Sequence, residues 1–141
     1  MKTILTDVDG VLLNWEAGFI QWVEKQGLKY QHIPGEYDIG KQIGVKSHQA
    51  IQLIKTFNHS EASSQLLPYK HSISSIQRLS MHGWDFIAIT NFSGKQTASA
   101  SRKRYLNEIY GTGIFKDMIS LPITASKREA LNQYKLSLIH I

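Results

Sequence analysis

The chain of 141 residues contains no cysteine. Disulfides, thiolate zinc sites and a thiol nucleophile are therefore excluded. The chain also lacks a long apolar run, because Asp7 and Asp9 interrupt its short apolar start and no small-residue cleavage site follows. We therefore expect neither a signal peptide nor a membrane-spanning segment. These absences favour a cytoplasmic protein.

Acidic residues are fewer than basic ones, 11 against 16, which gives a formal net charge of +5. This excess favours anionic partners such as phosphate esters or nucleic acid, and it does not choose between them. With 42% hydrophobic and 19% charged residues, the composition is that of a globular protein rather than a disordered one. The length predicts one domain with room for a small insert. Oligomeric state cannot be read from these numbers.

Short apolar runs alternate with helical patterns along the chain. Two S-x-x-E/Q capping boxes, at Ser93 and Ser126, each precede a helical pattern. The first helix is predicted from Lys95 to Tyr110, and the second from the Ser126 box to about Tyr134. Alternating strands and helices predict an α/β protein with a parallel sheet. The predicted strands are residues 3–6, 86–90 and 118–121.

Residues 14–68 are predicted to form a helical insert in a core made of residues 1–13 and 69–135. Trp15, Phe19 and Trp22 fall at helical spacing near its start. Such a stripe more often packs in a core than binds a substrate.

Asp7 and Asp9 lie two residues apart, directly after the first predicted strand. In extended backbone both carboxylates would point to the same side and could face one phosphate. One could attack phosphorus while the other protonates the leaving oxygen and later deprotonates water. Because two carboxylates repel a phosphoryl transition state, we expect a magnesium ion. A calcium loop starting at Asp7 would have Leu12 in place of its glycine and is excluded; two solvated turn aspartates are the remaining alternative.

Three motifs resemble those of the haloacid dehalogenase (HAD) superfamily, in the same order. Residues 6–11 (TDVDGV) resemble its first motif, D-x-D-G-T/V, residues 87–91 (IAITN) resemble the second, and Lys127 resembles the lysine of the third. The resemblance covers residues 3–135. It implies a Rossmann-like HAD fold, with a parallel sheet flanked by helices and a small helical cap insert.

The resemblance also implies roles for individual residues. Asp7 would be the nucleophile and a magnesium ligand, and Asp9 the general acid/base whose backbone carbonyl also binds magnesium. Thr90 and Asn91, at the end of the second motif, would bind the phosphoryl group together with Lys127. Lys127 would lie at a helix N-terminus, where the helix dipole also favours an anion.

The fourth motif of the family, an acidic pair that supplies another magnesium ligand, is missing. After Lys127 only Glu129 is acidic, and it is better explained as a capping residue. The last six residues, 136–141, match the translation of a transposon end used as a sequencing adapter, so we expect the natural reading frame to end after Lys135. The alternative is a natural apolar C-terminal strand.

A lost C-terminal part of the sheet has consequences for the chain as written. In the family the fourth strand lies beside the first, so its loss would leave the nucleophile strand at an exposed edge. We therefore expect a poorly active and aggregation-prone chain.

Residues 11–19 resemble the start of the cap in the 5′(3′)-deoxyribonucleotidase group. That resemblance implies nucleoside monophosphate substrates, with Phe19 as a candidate for stacking on the base. Sugar phosphates and polynucleotide 3′-phosphate ends are the alternatives, and so is a non-catalytic binding domain with the same fold. Lys95 and residues 102–104 (RKR) form a basic stretch that could contact nucleic acid, although such faces are usually only solvated.

Overall fold

The computed structural model describes residues 2–132, and residues 138–140 by their backbone alone. The chain divides into two compact units, one formed by Met1–Asn14 with Leu67–Ile141 and the other by Trp15–Leu66. We call them the α/β unit and the inserted unit. Within the described ranges, the helices are all too short or too polar to cross a membrane.

Strands and helices alternate through the α/β unit, whereas the inserted unit is helical. In chain order the elements are β1 (Lys2–Thr6), α1 (Trp15–Lys25), α2 (Ile39–Ile43), α3 (Ser47–Asn58), a 3-10 helix (Glu61–Gln65), α4 (Ser72–Met81), β2 (Trp84–Asn91), α5 (Gln96–Tyr110), β3 (Phe115–Leu121), α6 (Arg128–Asn132) and β4 (Leu138–His140).

The sheet is parallel, with the strand order β3-β2-β1-β4. One of its two central strands, β2, is buried without interruption from Phe86 to Thr90, as expected for a parallel strand covered on both faces. Leu5 of β1 is paired with Ile87 of β2, so the carboxyl ends of the two strands meet at one edge. The α/β class and the three predicted strands are confirmed.

The far edge of β1 is not open. The backbone of β4 pairs with β1 in parallel, with Thr3 opposite Leu138 and Leu5 opposite His140. The expectation that β1 would be an exposed edge is therefore wrong for this chain, because a strand of three residues from the predicted tail occupies that edge. Residues 136, 137 and 141 of that tail lie outside the described residues, and its origin stays a prediction.

Alternation along β2 sends its side chains to opposite faces of the sheet. On one face, Ile87 and Ile89 form a core cluster with Leu5 and with Ala130 of α6. Phe86 and Ala88, which alternate with these residues, point to the opposite face. There the ring centroid of Phe86 lies 5.8 Å from that of Phe115. Tyr110 of α5 contacts Phe115, with ring centroids 5.8 Å apart, so helices pack on both faces of the sheet.

Both helices that follow the predicted capping boxes begin later than their serines. Ser93 Oγ accepts a hydrogen bond from Lys95 N (3.0 Å), and α5 starts only at Gln96. Ser126 Oγ accepts one from Arg128 N (3.1 Å), where α6 starts. Lys127 lies directly before α6, and its carbonyl accepts a hydrogen bond from Leu131 N (2.9 Å), so the structure places it at the N-terminus of this helix, as predicted. The predicted end of this helix at Tyr134 lies outside the described residues.

The inserted unit is built around four aromatic rings. Phe19 stacks on Trp15 with ring centroids 4.8 Å apart, and both rings contact Phe57, whose side chain is fully buried. Trp22 completes the cluster through contacts with Phe19 and Phe57. The core role predicted for the aromatic stripe of α1 is confirmed.

Replacing Phe57 by alanine removes the ring that contacts the other three. We expect Phe57→Ala to lower the free energy of unfolding by about 3–5 kcal/mol, the usual cost of emptying a buried aromatic site. Tyr37→Ala, at a ring that is 94% exposed in the same unit, should change it by less than about 0.5 kcal/mol. Denaturant unfolding followed by tryptophan fluorescence measures both, and equal effects of the two changes would contradict the aromatic core.

Candidate active site

Asp7 lies just past the carboxyl end of β1, with both of its carboxylate oxygens held. Oδ1 accepts a hydrogen bond from the backbone N–H of Val8 (2.7 Å). Oδ2 lies 2.8 Å from the ammonium of Lys127, which comes from the loop before α6. Both side chains are about one third exposed or less, 33% for Asp7 and 27% for Lys127, so a ligand can still reach the pair. The structure therefore brings together two residues that are 120 positions apart in the sequence.

A tight turn carries the chain from Asp7 back into the fold. The carbonyl of Val8 accepts hydrogen bonds from the N–H groups of residues 11, 12 and 13. Gly10 adopts a φ of +88°, in the left-handed region that side chains with a Cβ disfavour. Tyr110, at the end of α5, donates from its hydroxyl to the carbonyl of Leu12 (3.0 Å). The turn that follows the first aspartate is thus fixed by its own hydrogen bonds and by α5.

Asp9 is more enclosed than Asp7, with a side chain that is 11% exposed. Its Oδ2 lies 3.5 Å from a guanidinium nitrogen of Arg102, while its buried Oδ1 has no hydrogen-bond partner among the described residues. Burial raises the pKa of Asp9 to about 6, against the opposing effect of the Arg102 charge. A carboxyl group with a pKa near neutrality can both hold and release a proton, as a general acid/base must.

Arg102 reaches Asp9 from α5. It is only 3% exposed, and its guanidinium carbon lies 4.2 Å from the centre of the Phe92 ring. The prediction that Arg102 belongs to an exposed basic stretch is wrong; Lys103 and Arg104 remain exposed. One signal could have identified it, since Arg102 lies four residues before the buried Leu106 on the same helical face.

Thr90 lies at the carboxyl end of β2, beyond Ala88, which pairs with Thr6 at the end of β1. Its side chain is 1% exposed, and in the described part of the chain its Oγ1 finds no hydrogen-bond partner. An unsatisfied buried hydroxyl is unfavourable by about 1–3 kcal/mol. The phosphate contact predicted for Thr90 stays a prediction.

Asn91 does not present its amide nitrogen to a ligand. The nitrogen donates to the carbonyls of Pro122 (3.0 Å) and Ala125 (2.7 Å), which uses both of its hydrogens. The phosphate contact predicted for Asn91 therefore does not come from this nitrogen, and the contact itself stays a prediction. Asn91 instead fixes the loop that leads to Lys127.

Phe19, the predicted base-stacking residue, is 2% exposed inside the aromatic cluster of the inserted unit. A ring packed this closely has no face open to a base. Its predicted substrate contact is therefore contradicted by its burial, and the core role predicted for the same stripe accounts for it.

A cavity of about 260 Å³ opens beside Asp7 and Lys127. Its other walls are mostly apolar, so the two charged groups are concentrated on one side of a small pocket. The lining residues are Leu5, Thr6, Asp7, Val11, Ile89, Lys127 and Leu131.

No protein-family model matches the chain. An uncharacterised 32.4 kDa protein of Enterobacteria phage T4, encoded in the Gp30-rIII intergenic region, is 30% identical to it over 145 aligned positions. That alignment covers 94% of this chain and 49% of the phage protein, so the chain spans about half the length of its relative.

Solved structures resemble nearly the whole chain. A predicted phosphatase from Clostridium acetobutylicum matches with a TM-score of 0.62 at 13% identity, over 99% of this chain and 74% of that one. The L-2-haloacid dehalogenase of Xanthobacter autotrophicus, with chloropropionic acid covalently bound, matches with a TM-score of 0.56 at 14% identity, over 99% and 69%. The chain has the Rossmann-like α/β fold of the haloacid dehalogenase-like proteins.

Proposed function

We propose that this protein hydrolyses phosphate monoesters, with Asp7 as the nucleophile. The observation that carries the proposal is the ammonium of Lys127, 2.8 Å from the carboxylate of Asp7 beside an open cavity. A lysine there adds positive charge where a phosphoryl group would develop negative charge. Asp9 and Thr90 add a buried carboxyl oxygen and a buried hydroxyl that are both unsatisfied.

The reaction proceeds in two half-reactions on these side chains. An oxygen of Asp7 attacks phosphorus, the bond between phosphorus and the leaving oxygen breaks, and the proton held at Asp9 Oδ1 passes to that oxygen. Water then attacks phosphorus of the aspartyl phosphate and gives a proton to Asp9. The bond to Asp7 breaks, and inorganic phosphate leaves with both carboxyl groups restored. Lys127 and Thr90 hold the phosphoryl oxygens through both steps.

A magnesium ion fits this set of residues. Magnesium is commonly held by one or two carboxylates together with substrate phosphate and water. Asp7 provides one carboxylate, and the backbone carbonyl of Asp9 would provide a second oxygen, which leaves the Asp9 side chain free for proton transfer. Among residues 2–132 and 138–140 there is no group of three or more His, Asp or Glu for a fully protein-enclosed site. When bound, the ion would neutralise charge between carboxylates and phosphate.

Mutation of Asp7 distinguishes a phosphatase from a non-catalytic binding domain with the same fold. Asp7→Asn keeps the size of the side chain and removes the nucleophile, so hydrolysis of p-nitrophenyl phosphate should fall by at least about 10³-fold. Asp85→Asn, at the opposite end of β2, is the matched control and should retain activity. Assays on the longest natural form of the protein, with circular dichroism as a check of folding, measure both; full turnover by Asp7→Asn would exclude Asp7 as the nucleophile.

Removal of divalent cations should also abolish hydrolysis. Excess EDTA is expected to lower kcat to background, and added Mg²⁺ in excess of the chelator should restore it, because two carboxylates beside a phosphate require neutralisation. Calcium, which prefers more ligands and a looser geometry, should restore less. Undiminished activity in EDTA would exclude a role for the metal.

Nucleoside monophosphates are the substrate class we propose first, on the resemblance of residues 11–19 to the deoxyribonucleotidase cap. A polynucleotide 3′-phosphate end is the second candidate, and charge favours it. Eleven basic and six acidic residues lie in the α/β unit, against five of each in the inserted unit. The whole positive excess thus lies in the unit that holds Asp7, which suits a substrate with several phosphates.

Salt separates the two substrate classes. If the substrate is a polynucleotide end, kcat/KM for an oligonucleotide 3′-phosphate should exceed that for a nucleoside 3′-monophosphate. It should also fall steeply with added salt, because basic residues that bind the oligonucleotide release counterions from its phosphates. If the substrate is a mononucleotide, the two should be hydrolysed with similar kcat/KM and weak salt dependence. A sugar phosphate hydrolysed faster than either would overturn both candidates.

A further inference from the structure

Arg102 combines nearly complete burial with a direct contact to one oxygen of Asp9. The guanidinium is 3.5 Å from Asp9 Oδ2 and lies against the ring of Phe92. The neighbouring oxygen, Asp9 Oδ1, accepts no hydrogen bond from any described residue. The two oxygens of Asp9 are therefore not equivalent, because one faces a cation and the other is unsatisfied.

Hydrogen bonds near both ends of α5 connect this helix to the rest of the α/β unit. Ahead of the helix, Ser120 Oγ donates to the carbonyl of Ser93 (2.6 Å). At its end, the hydroxyl of Tyr110 donates to the carbonyl of Leu12, in the turn that carries Asp9. Arg102 thus approaches Asp9 from a helix that is anchored to the turn of Asp9 itself.

Burial of an arginine costs several kcal/mol unless a charge partner and good packing compensate. Replacing such a buried pair with apolar side chains is often neutral for stability or even favourable. Stability alone therefore gives a weak reason for an arginine at this position. The contact of Arg102 with one oxygen of Asp9, the candidate acid/base, gives a stronger reason for an arginine here.

We propose that Arg102 is a positioning residue for Asp9: it holds Oδ2, so that Oδ1 is the oxygen that gives its proton to the leaving group. The proposal rests on the proposed phosphatase function. In the step concerned, phosphorus bonds to Asp7 while its bond to the leaving oxygen breaks, and the proton moves from Asp9 Oδ1 to that oxygen. Nothing else in this step requires Arg102.

The test uses two substrates that differ in their need for that proton. The leaving group of p-nitrophenyl phosphate departs as a stabilised anion and needs little protonation, whereas an alkyl phosphate such as glycerol 1-phosphate needs it fully. The quantity to compare is kcat/KM, because it reports only the steps up to the departure of the leaving group. Hydrolysis of the aspartyl phosphate, which is the same for both substrates, does not enter it.

Arg102→Met removes the guanidinium and keeps an unbranched side chain of similar length. We expect kcat/KM for glycerol 1-phosphate to fall by about 100-fold, the lower end of what general acid catalysis contributes, with little change for p-nitrophenyl phosphate. Lys103→Met, at the exposed neighbouring position on α5, is the matched control and should change neither. A purely structural role of Arg102 would lower both values by the same factor.

Arg102→Lys keeps the charge and gives a second variant for the same comparison of kcat/KM if Arg102→Met does not fold. Because an ammonium lacks the fixed planar donors of a guanidinium, it should show the same substrate-dependent loss to a smaller extent. In a folded variant, equal losses on both substrates, or no loss on either, would overturn the role of Arg102. The phosphatase function is still supported in that case if turnover depends on Asp7. A wild-type protein that hydrolyses neither substrate overturns both.

Discussion

Two carboxylates two residues apart at one edge of a sheet repel each other and any phosphate between them, and in this fold each is held by its own cation. Lys127 lies 2.8 Å from Asp7, and Arg102 lies 3.5 Å from Asp9. The two pairs differ in setting. Asp7 and Lys127 are partly exposed beside the cavity, whereas Asp9 and Arg102 are enclosed. This difference in setting is the basis on which we propose two different tasks for these chemically similar residues, attack by Asp7 and proton transfer by Asp9.

The rest of the α/β unit serves to hold these pairs. Asn91 fixes the loop 122–125 ahead of Lys127 through two carbonyls. Tyr110 fastens α5, and with it Arg102, to the turn that follows Asp7. Helix α5 and the loop before α6 thus supply one cation each to the same edge. The site depends on contacts between elements that are far apart in the sequence, and not on the first motif alone.

The sequence was sufficient to predict those parts of the α/β unit that depend on local residue patterns. Strand periodicity located β1, β2 and β3, and the position of Asp7 directly after a strand predicted its place at the carboxyl edge. Capping patterns at Ser93 and Ser126 predicted the two later helices, and the predicted start at Lys95 lies one residue before the observed start of α5 at Gln96.

Long-range pairing was beyond the reach of the same reasoning. Arg102 was grouped with its exposed neighbours, although its spacing from Leu106 indicates the inward face of α5. The contacts of the Asn91 side chain with the loop 122–125 could not be read from the sequence, because they join positions about 30 residues apart. Phe19 fitted two predictions at once, and only its burial decides between them. A fold-level likeness with 13–14% identity carries no residue role by itself. The roles rest on distances within this chain.

The central claim, that Asp7 carries the phosphoryl group during turnover, can be tested directly by trapping the intermediate. Protein mixed with p-nitrophenyl phosphate and Mg²⁺, quenched in acid within milliseconds and digested, should carry one phosphoryl group on the peptide that contains Asp7. Reduction of that acyl phosphate with borohydride should convert residue 7 to homoserine. A protein that turns over while this peptide stays unmodified, or that is phosphorylated at another residue, would contradict the account.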